Sequence, residues 1–235
     1  MNSMGFPGQG LQPSVMRLQN SQRYKKRVLL SISGTIEDEI FECLQRSQNF
    51  VSGIELNISS PNTAGLRIFH EPARLRGLIE GLVAEKQVPL FVKLPPWPRD
   101  DDNRRELLKL AATAVDAGVD GLVIANTHPI ESSRLQVGRG GLSGAPLFEH
   151  TELMIVDIQA QVQGEVAIIA CGGISTGEHV WKLLASGASA VQLYTAFIYE
   201  GPGLPSRINK RLSKLMSAAG VTKIADISGD PPNIQ

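Results

Sequence analysis

The sequence predicts a single parallel α/β domain over residues 1–235, with about six strand-helix units. Two observations lead to this prediction. Short, continuous apolar runs alternate with longer amphipathic segments, as expected for strands buried on both faces and connected by helices. Polar or glycine-rich residues follow directly after several of these runs, as they do at the carboxyl ends of parallel strands, where ligands bind. A closed (β/α)8 barrel needs eight units, so six predict either an open sheet or an incomplete barrel.

The order of the predicted elements follows the chain. Six apolar runs predict strands over 28–32, 53–57, 90–94, 121–125, 166–170 and 190–193. The segments after them predict helices over 35–48, 71–85, 101–117, 148–161, 176–186 and 205–219. Three of these helices stop at a glycine (Gly118, Gly187 and Gly220), the residue that most often ends a helix. The opening segment 2–10 is polar and glycine-rich, so we expect it to be a loop.

Composition excludes several classes of protein. The formal net charge is zero and the basic cluster at 23–27 is short, so no nucleic-acid partner is expected. No apolar run reaches the roughly 18 residues of a membrane span, and no signal peptide is recognisable. Cys43 and Cys171 form no disulfide pattern and are expected to be reduced thiols in the cytoplasm. The four histidines lack the spacing of metal ligands, so no metal is expected.

The most informative segment is 57–67, which follows the predicted strand 53–57. Asn57 and Asn62 each offer a donor and an acceptor, and the hydroxyl of Ser60 lies between them. Pro61 fixes the backbone immediately afterwards. A βα turn commonly contains serine, asparagine or proline, so each of these residues alone could be a turn residue. The whole run is less well explained in that way. The segment is therefore predicted to bind a flat polar ligand.

Three further motifs occupy predicted strand ends. Lys93 lies within an apolar strand, which is costly unless the amine reaches a polar site or an anionic or electron-rich ligand. Asn126 and Thr127 follow the fourth strand, where they form either a turn or a binding pair. Ser143 and Gly144 close a long, glycine-dense loop, which is either a flexible connection or a cofactor clamp.

Two consecutive βα loops near the end of the pattern predict a phosphate site. Gly172 and Gly173 follow the fifth strand and precede a helix, where backbone N–H groups can approach a phosphate. Tyr194 and Thr195 end the sixth strand and begin a short helical segment. Such a pair of loops is where a (β/α)8 barrel commonly binds phosphate, although both could be purely structural turns.

In this order, the motifs resemble those of the dihydroorotate dehydrogenases. Asn57, Ser60 and Asn62 match the central signature of that family. Ser60 stands where the quinone-linked class 2 enzymes have a catalytic serine and class 1 enzymes have a cysteine, so the resemblance is to class 2. The other matching residues are Asn2, Gly5, Phe6, Thr63, Lys93, Asn126, Thr127, Gly144, Gly173, Tyr194 and Thr195.

The resemblance implies a TIM (β/α)8 barrel that oxidises dihydroorotate to orotate in de novo pyrimidine (UMP) biosynthesis. FMN would accept the hydride and a quinone would reoxidise it. Ser60 would be the catalytic base, with Thr63 and Phe6 shaping a water relay. The implied substrate-binding residues are Asn2, Gly5, Phe6, Asn57, Asn62, Asn126 and Thr127. The implied FMN-binding residues are Ser31, Asn57, Lys93, Ser143, Gly144, Gly172, Gly173, Tyr194 and Thr195.

The chain departs from the family pattern in several places. The family's first two barrel strands and the membrane-associating helices of class 2 enzymes have no counterpart before Asn2. Ser31 replaces an FMN-contacting asparagine, and Ala125 and His128 replace threonines. An incomplete barrel would expose the edges of its first and last strands, which predicts marginal stability or self-association. We expect a cytoplasmic protein, peripheral to the inner membrane if an N-terminal extension exists.

Two alternatives remain open at the level of sequence. The chain could be a non-catalytic remnant or FMN-binding module, although the retained Ser60, Asn57 and Asn62 speak against drift. It could also be a related FMN barrel that acts on another pyrimidine, or a tRNA dihydrouridine synthase. The last of these should show a basic surface and a cysteine acid, and the sequence shows neither clearly.

Overall fold

The computed structural model describes residues 1–21, 27–60, 63, 65–96 and 101–234, without the side chain of Asp101. The helices of this part of the chain are α1 (Leu11–Ser21), α2 (Glu37–Ser47), α3 (Pro72–Glu85), α4 (Asp101–Asp116), α5 (Phe148–Val162), α6 (Gly177–Ala185), α7 (Thr195–Glu200) and α8 (Leu204–Ala218). The strands are β1 (Leu29–Ile32), β2 (Gly53–Asn57), β3 (Leu90–Lys93), β4 (Gly121–Ile124), β5 (His128–Glu131), β6 (Arg139–Leu142), β7 (Ala167–Cys171) and β8 (Ala190–Gln192).

The main sheet contains the six strands that the sequence predicts. Its order is β1-β2-β3-β4-β7-β8, and each neighbouring pair is parallel. From β2 onward, each strand of this sheet follows a helix that returns the chain to the same end of the sheet, so the carboxyl ends lie at one rim. β1 and β8 pair on one side only among the described residues, which agrees with the predicted sheet edges.

The sheet is strongly curled. Gln192 Nε2 on β8 donates to Glu55 Oε2 on β2 over 2.9 Å, although three strands lie between these two strands in the sheet. In a flat sheet, strands four spacings apart would be separated by roughly 19 Å. The contact therefore requires curvature, which distinguishes a partial (β/α)8 barrel from an open sheet. The predicted fold class is confirmed.

Alternate residues of the strands form the core against the helices. The side chains that face the helices from β2, β3, β4 and β7 are completely buried, and they are Ile54, Leu56, Leu90, Val92, Leu122, Ile124, Ile168 and Ala170. Period-two alternation places the intervening residues on the inner face of the curled sheet. The two faces are therefore built from the same short strands.

Two features differ from the predicted elements. α1 lies in a segment for which no element was predicted, because its pattern is weakly apolar and only Val15 is buried. The predicted loop through Gly140 contains β5 and β6, which form an antiparallel hairpin. Isolated strands of four residues that contain proline or glycine carry little strand signal, and tertiary contacts override it here. No described helix is long and apolar enough to cross a membrane.

Candidate active site

Asn57 and Asn126 meet at the carboxyl-end rim. Asn57 ends β2, and its Oδ1 accepts from the backbone N–H of Ser59 at 3.2 Å and from Asn126 Nδ2 at 3.3 Å. Asn126 Nδ2 also donates to Ser59 Oγ at 3.1 Å. The hydroxyl of Ser59 in turn donates to the carbonyl of Lys93 at 3.0 Å. These bonds join the ends of three neighbouring strands and fix both carboxamides.

The loop after β2 is also held from outside the rim. His70 Nε2 lies 3.0 Å from the carbonyl of Ile58, and because a carbonyl only accepts, that nitrogen carries the proton. Ser33 Oγ donates to the carbonyl of Asn57 at 2.8 Å. Burial lowers the pKa of His70, and the nearby Arg67 acts in the same direction. A neutral histidine therefore anchors the loop that leads to Ser60.

Ser60, the predicted catalytic residue, is half-buried at this rim. Thr63 Oγ1 donates to Ser60 Oγ at 3.3 Å, and the backbone N–H of Thr63 donates to the carbonyl of Ser60. Because Thr63 supplies the donor, the Ser60 hydroxyl keeps its own proton for another acceptor. The predicted substrate residue Asn62 lies outside the described residues.

The opening segment docks on the hairpin. Asn2 and Gly141 exchange two backbone hydrogen bonds, of 2.9 and 2.7 Å, and Asn2 Nδ2 donates to Ser143 Oγ at 3.4 Å. A Cβ at Gly141 would lie 2.2 Å from Thr127 Oγ1, so glycine is required for this approach. The predicted residues Asn2, Thr127 and Ser143 are thereby brought together.

The neighbouring predicted residues Gly5 and Phe6 lie on the surface. Phe6 is 47% exposed, and among the described residues no atom beyond the chain neighbours of Gly5 lies within 4 Å of the position of a Cβ there. The structure does not bring these two residues against the rim in the way it brings Asn2.

The three glycines predicted to bind FMN pack closely against neighbouring elements. A Cβ at Gly172 would lie 2.5 Å from Thr151 Oγ1, and one at Gly173 would lie 2.4 Å from the backbone nitrogen of Phe148. A Cβ at Gly144 would lie 2.9 Å from Thr195 Cγ2. Packing alone therefore requires glycine at all three positions.

The same packing brings the predicted residues of three loops near one another. Gly144 abuts Thr195 at the start of α7, while Gly172 and Gly173 abut α5. The predicted short helical segment after β8 is present as α7, and Tyr194 before it is 61% exposed.

A polar network covers part of the inner face of the sheet. Ser31 Oγ donates to Glu55 Oε1 at 2.9 Å, and Lys93 Nζ lies 3.6 Å from the same oxygen. Lys93 Nζ also donates to Gln192 Oε1 at 3.5 Å and lies 3.6 Å from Cys171 Sγ. Together with the Gln192–Glu55 bond, these contacts connect β1, β2, β3, β7 and β8.

The charge states within this network follow from its surroundings. Burial by itself lowers the pKa of Lys93, but attraction to the Cys171 thiolate, which forms only at high pH, and to Glu55 outweighs it and raises that pKa above its ordinary value. Burial raises the pKa of Cys171, against the attraction of Lys93. Lys93 is therefore an ammonium ion and Cys171 a neutral thiol near neutral pH.

Two residues of this network, Gln192 and Glu55, were not predicted from the sequence, and Glu55 carries the clearer signal. It is a charged residue within an apolar strand, as Lys93 is, and only 4% of it is exposed. The signal was therefore available: two opposite charges occurred in neighbouring predicted strands, each among apolar residues. What the sequence did not show was the register of β2 against β3. Glu55 pairs with Phe91, so Lys93 lies two residues further along β3, on the same face of the sheet.

Comparison with known proteins identifies the family. The family model described as dihydroorotate dehydrogenase matches residues 1–216. A protein of Sphingopyxis alaskensis named dihydroorotate dehydrogenase (quinone) is 33% identical over 97% of this chain and 67% of its own length. A mitochondrial protein of the same name from Arabidopsis thaliana is 35% identical over 86% of this chain and 47% of its own. The chain thus spans about half to two thirds of these relatives.

Solved structures agree with the sequence relatives. The ligand-free DHODH of Eimeria tenella superimposes with a TM-score of 0.82 at 31% identity, covering 96% of this chain and 72% of that one. The complex of that protein with ferulenol gives a TM-score of 0.81 at the same identity. The predicted resemblance is therefore confirmed, and the chain belongs to the dihydroorotate dehydrogenase family, with the quinone-linked class 2 enzymes among its relatives.

Proposed function

We propose that this chain carries the active site of an FMN-dependent dihydroorotate dehydrogenase, which oxidises dihydroorotate to orotate in de novo pyrimidine biosynthesis and passes the electrons to a quinone. The observation that carries the proposal is the convergence of the Asn57–Asn126 carboxamide pair, the Ser60–Thr63 hydroxyl pair and the Lys93 amine at the carboxyl ends of neighbouring strands. Relatives that bear the name of this activity support it.

The residues of the rim and the inner face fit a phosphorylated ring that gains negative charge on reduction, such as FMN. Lys93 offers a cation at the inner face, and the exposed hydroxyl-bearing Ser31 lies beside it across Glu55. The residues that would hold FMN are Ser31, Asn57, Lys93, Ser143, Gly144, Gly172, Gly173, Tyr194 and Thr195. When bound, FMN supplies a ring that accepts a hydride. The glycine loops would present backbone N–H groups to its phosphate.

The carboxamide pair suits the amide groups of dihydroorotate. Asn57 Oδ1 already accepts from the backbone of Ser59 and from Asn126, which orients its Nδ2 as the donor for a ligand carbonyl. Thr127 and Asn2 lie together at the adjoining hairpin. We propose Asn2, Asn57, Asn62, Asn126 and Thr127 as the substrate-binding residues. The resemblance also implies Gly5 and Phe6, but their positions on the surface do not support that role.

Ser60 is proposed to take the proton from the substrate carbon next to the carbonyl. The C–H bond at that carbon breaks and its electron pair helps to form the new double bond, while a hydride leaves the neighbouring carbon. A serine hydroxyl is a weak base, so its own proton must leave as the substrate proton arrives. Thr63 Oγ1, 3.3 Å from Ser60 Oγ, is placed to orient the hydroxyl and a relaying water.

The test is the visible absorbance spectrum of the purified chain supplied with FMN, recorded anaerobically before and after addition of dihydroorotate. A bound flavin band that bleaches supports the proposal. A bound band that does not bleach favours an FMN-binding module without this activity, and bleaching by a different pyrimidine alone favours the related reductase. No bound flavin would contradict the proposal for this chain.

A further inference from the structure

We propose that Glu55 is a positioning residue for Lys93: it holds the ammonium group at the inner face of the sheet and offsets its charge, which disfavours an anionic form of the bound ring. The inference rests on the proposed function for the identity of that ring, which is FMN. It concerns a residue outside the motifs on which the family resemblance depends.

The first step is the geometry of Glu55. Both carboxylate oxygens have partners: Oε1 accepts from Ser31 Oγ at 2.9 Å and lies 3.6 Å from Lys93 Nζ, and Oε2 accepts from Gln192 Nε2 at 2.9 Å. Only 6% of the side chain is exposed. A carboxylate held on both oxygens has little freedom to turn away, so its charge stays next to the amine.

The second step is the charge around Lys93. Its other close neighbours are the Gln192 side chain at 3.5 Å and the Cys171 sulfur at 3.6 Å. Gln192 is neutral, and the buried Cys171 is a neutral thiol. Glu55 is therefore the group that compensates the ammonium charge within this network, and the pair carries no net charge.

The charges of Lys93 and Glu55 act in opposite directions on the reduction of a bound ring. Reduction of a flavin adds electrons, so a nearby unpaired cation favours the reduced form, and a carboxylate beside that cation opposes this effect. The interaction is stronger in a poorly solvated site than at the surface. Glu55 therefore lowers the preference of the site for reduced FMN, which makes the reduced ring a better electron donor to the next acceptor.

Stability alone does not explain the pair. Two charges removed from water require compensation, and well-packed apolar residues of similar volume stabilise a protein at least as well in many cases. The inner faces of the adjacent strand β4 and of β7 show this alternative, because Val123 is completely buried and Ile169 is 8% exposed there. The Glu55–Lys93 pair on the same face therefore indicates a role in ligand binding rather than in stability.

The experiment compares Glu55→Gln with the wild-type chain. The substitution keeps the size of the side chain and removes its charge. Each protein is loaded with FMN, and the midpoint potential is measured by equilibration with a reference dye. We expect the ratio of affinities for reduced over oxidised FMN to rise about tenfold, which corresponds to about 30 mV for a two-electron couple.

Two further variants separate charge from structure. Glu55→Asp keeps the charge and should restore most of the wild-type potential. Glu178→Gln breaks the ion pair with Arg211 on α6 and α8, away from the inner face, and should leave the potential unchanged. A potential that is unchanged or lower in Glu55→Gln overturns the proposal, as does an equal shift in Glu55→Asp and Glu55→Gln.

A second readout needs no FMN. Brief treatment of the apoprotein with acetic anhydride, followed by mass spectrometry, measures the reactivity of Lys93. Loss of its charged partner should release the amine and raise its labelling several-fold in Glu55→Gln but not in Glu178→Gln. If the wild-type chain binds no FMN, the proposed function is contradicted, while this labelling still decides whether Glu55 holds Lys93. Unchanged labelling overturns that role.

Discussion

The two faces of the six-stranded sheet differ sharply, although they alternate along the same strands. On the helix face of β2, Ile54 and Leu56 are completely buried among other apolar side chains. Between and after them, Glu55 and Asn57 face inward, where they form hydrogen bonds to residues from other strands. The difference shows that one face provides the burial that stabilises the fold and the other provides the polar groups of the site.

This division has a physical origin. Period-two alternation lets five residues of β2 contribute to both faces without a change of backbone conformation. Curvature then brings inward-facing groups from distant strands within hydrogen-bond reach, as Gln192 and Glu55 show. Substitutions on the two faces should therefore have separable effects, on chemistry for the inner face and rim and on stability for the helix face.

The largest effect is expected at the rim. Ser60→Ala should lower the rate of FMN reduction by dihydroorotate about 10²- to 10⁴-fold, because general base catalysis typically contributes this much. The free energy of unfolding should change by less than about 0.5 kcal/mol, since Ser60 is half-buried and the substitution removes only its hydroxyl. Stopped-flow absorbance measures the rate.

Thr63→Val is the matched variant, since it removes the hydroxyl that donates to Ser60 and keeps the side-chain volume. Its rate should lie between those of Ser60→Ala and the wild type. A Ser60→Ala protein that retains most of the wild-type rate would falsify the proposed role of Ser60 as the base.

The next largest effect is expected on the helix face. Leu56→Ala should lower the free energy of unfolding by about 2–5 kcal/mol, because the side chain is completely buried and its loss leaves a cavity. Urea denaturation followed by circular dichroism gives the value. Ser31→Ala on the inner face is the control, with an expected cost of about 0.5–1.5 kcal/mol for one hydrogen bond. Equal costs for the two variants would contradict the division between the faces.

The sheet edges should produce a smaller, concentration-dependent effect. β1 and β8 each pair on one side only among the described residues, and Leu29 on β1 is 39% exposed. We expect the isolated chain to self-associate as its concentration rises, because unpaired strand edges bind other strands. Light scattering after size exclusion measures this, and Leu29→Lys should reduce it. A monomer with a cooperative, high-temperature melt in the absence of FMN would contradict the expectation.

The smallest effect concerns pH. Burial lowers the pKa of His70 and of His179 below their ordinary value of 6.5. The unfolded chain then binds protons before the folded chain does, so stability is complete above about pH 6.5 and is lost as the pH falls through the lower, folded-state values. The melting temperature should therefore decrease between pH 7 and pH 5.

His179→Asn should flatten this dependence. The ring Nδ1 of His179 accepts from the backbone N–H of Ser175 at 3.3 Å, and the oxygen of an asparagine can accept in its place without titrating. A slope of melting temperature against pH that stays unchanged in this variant would exclude His179 as a source of the effect.

Much of the site could be predicted from local sequence, and a comparison of particular residues shows which part could not. Ser60, Asn57 and Asn126 were predicted because each follows an apolar run, and strand ends of a parallel sheet share one rim. Lys93 was predicted because a charge interrupts such a run. Glu55 interrupts a run in the same way, yet its partners come from β1, β3 and β8, and local sequence does not encode contacts across an interior.

The hairpin of β5 and β6 is a feature of the fold that local sequence likewise did not predict. Gly140 and Gly141 read locally as a flexible loop, but their missing side chains admit the backbone of Asn2 and the side chain of Thr127. A residue 139 positions earlier in the chain thus decides the structure of this segment. Local propensity carries no information about such a partner.

The sequence by itself determined the order of strands and helices, the parallel α/β class, and the rim at which Asn57, Ser60, Lys93 and Asn126 lie. These follow from the periodicity of apolar residues and the chemistry that interrupts it, both of which are local. Only the tertiary structure decided that the sheet curls, that Asn57 meets Asn126, and that Glu55 pairs with Lys93 and Gln192. Curvature and register depend on the packing of all the strands together, so no single segment specifies them.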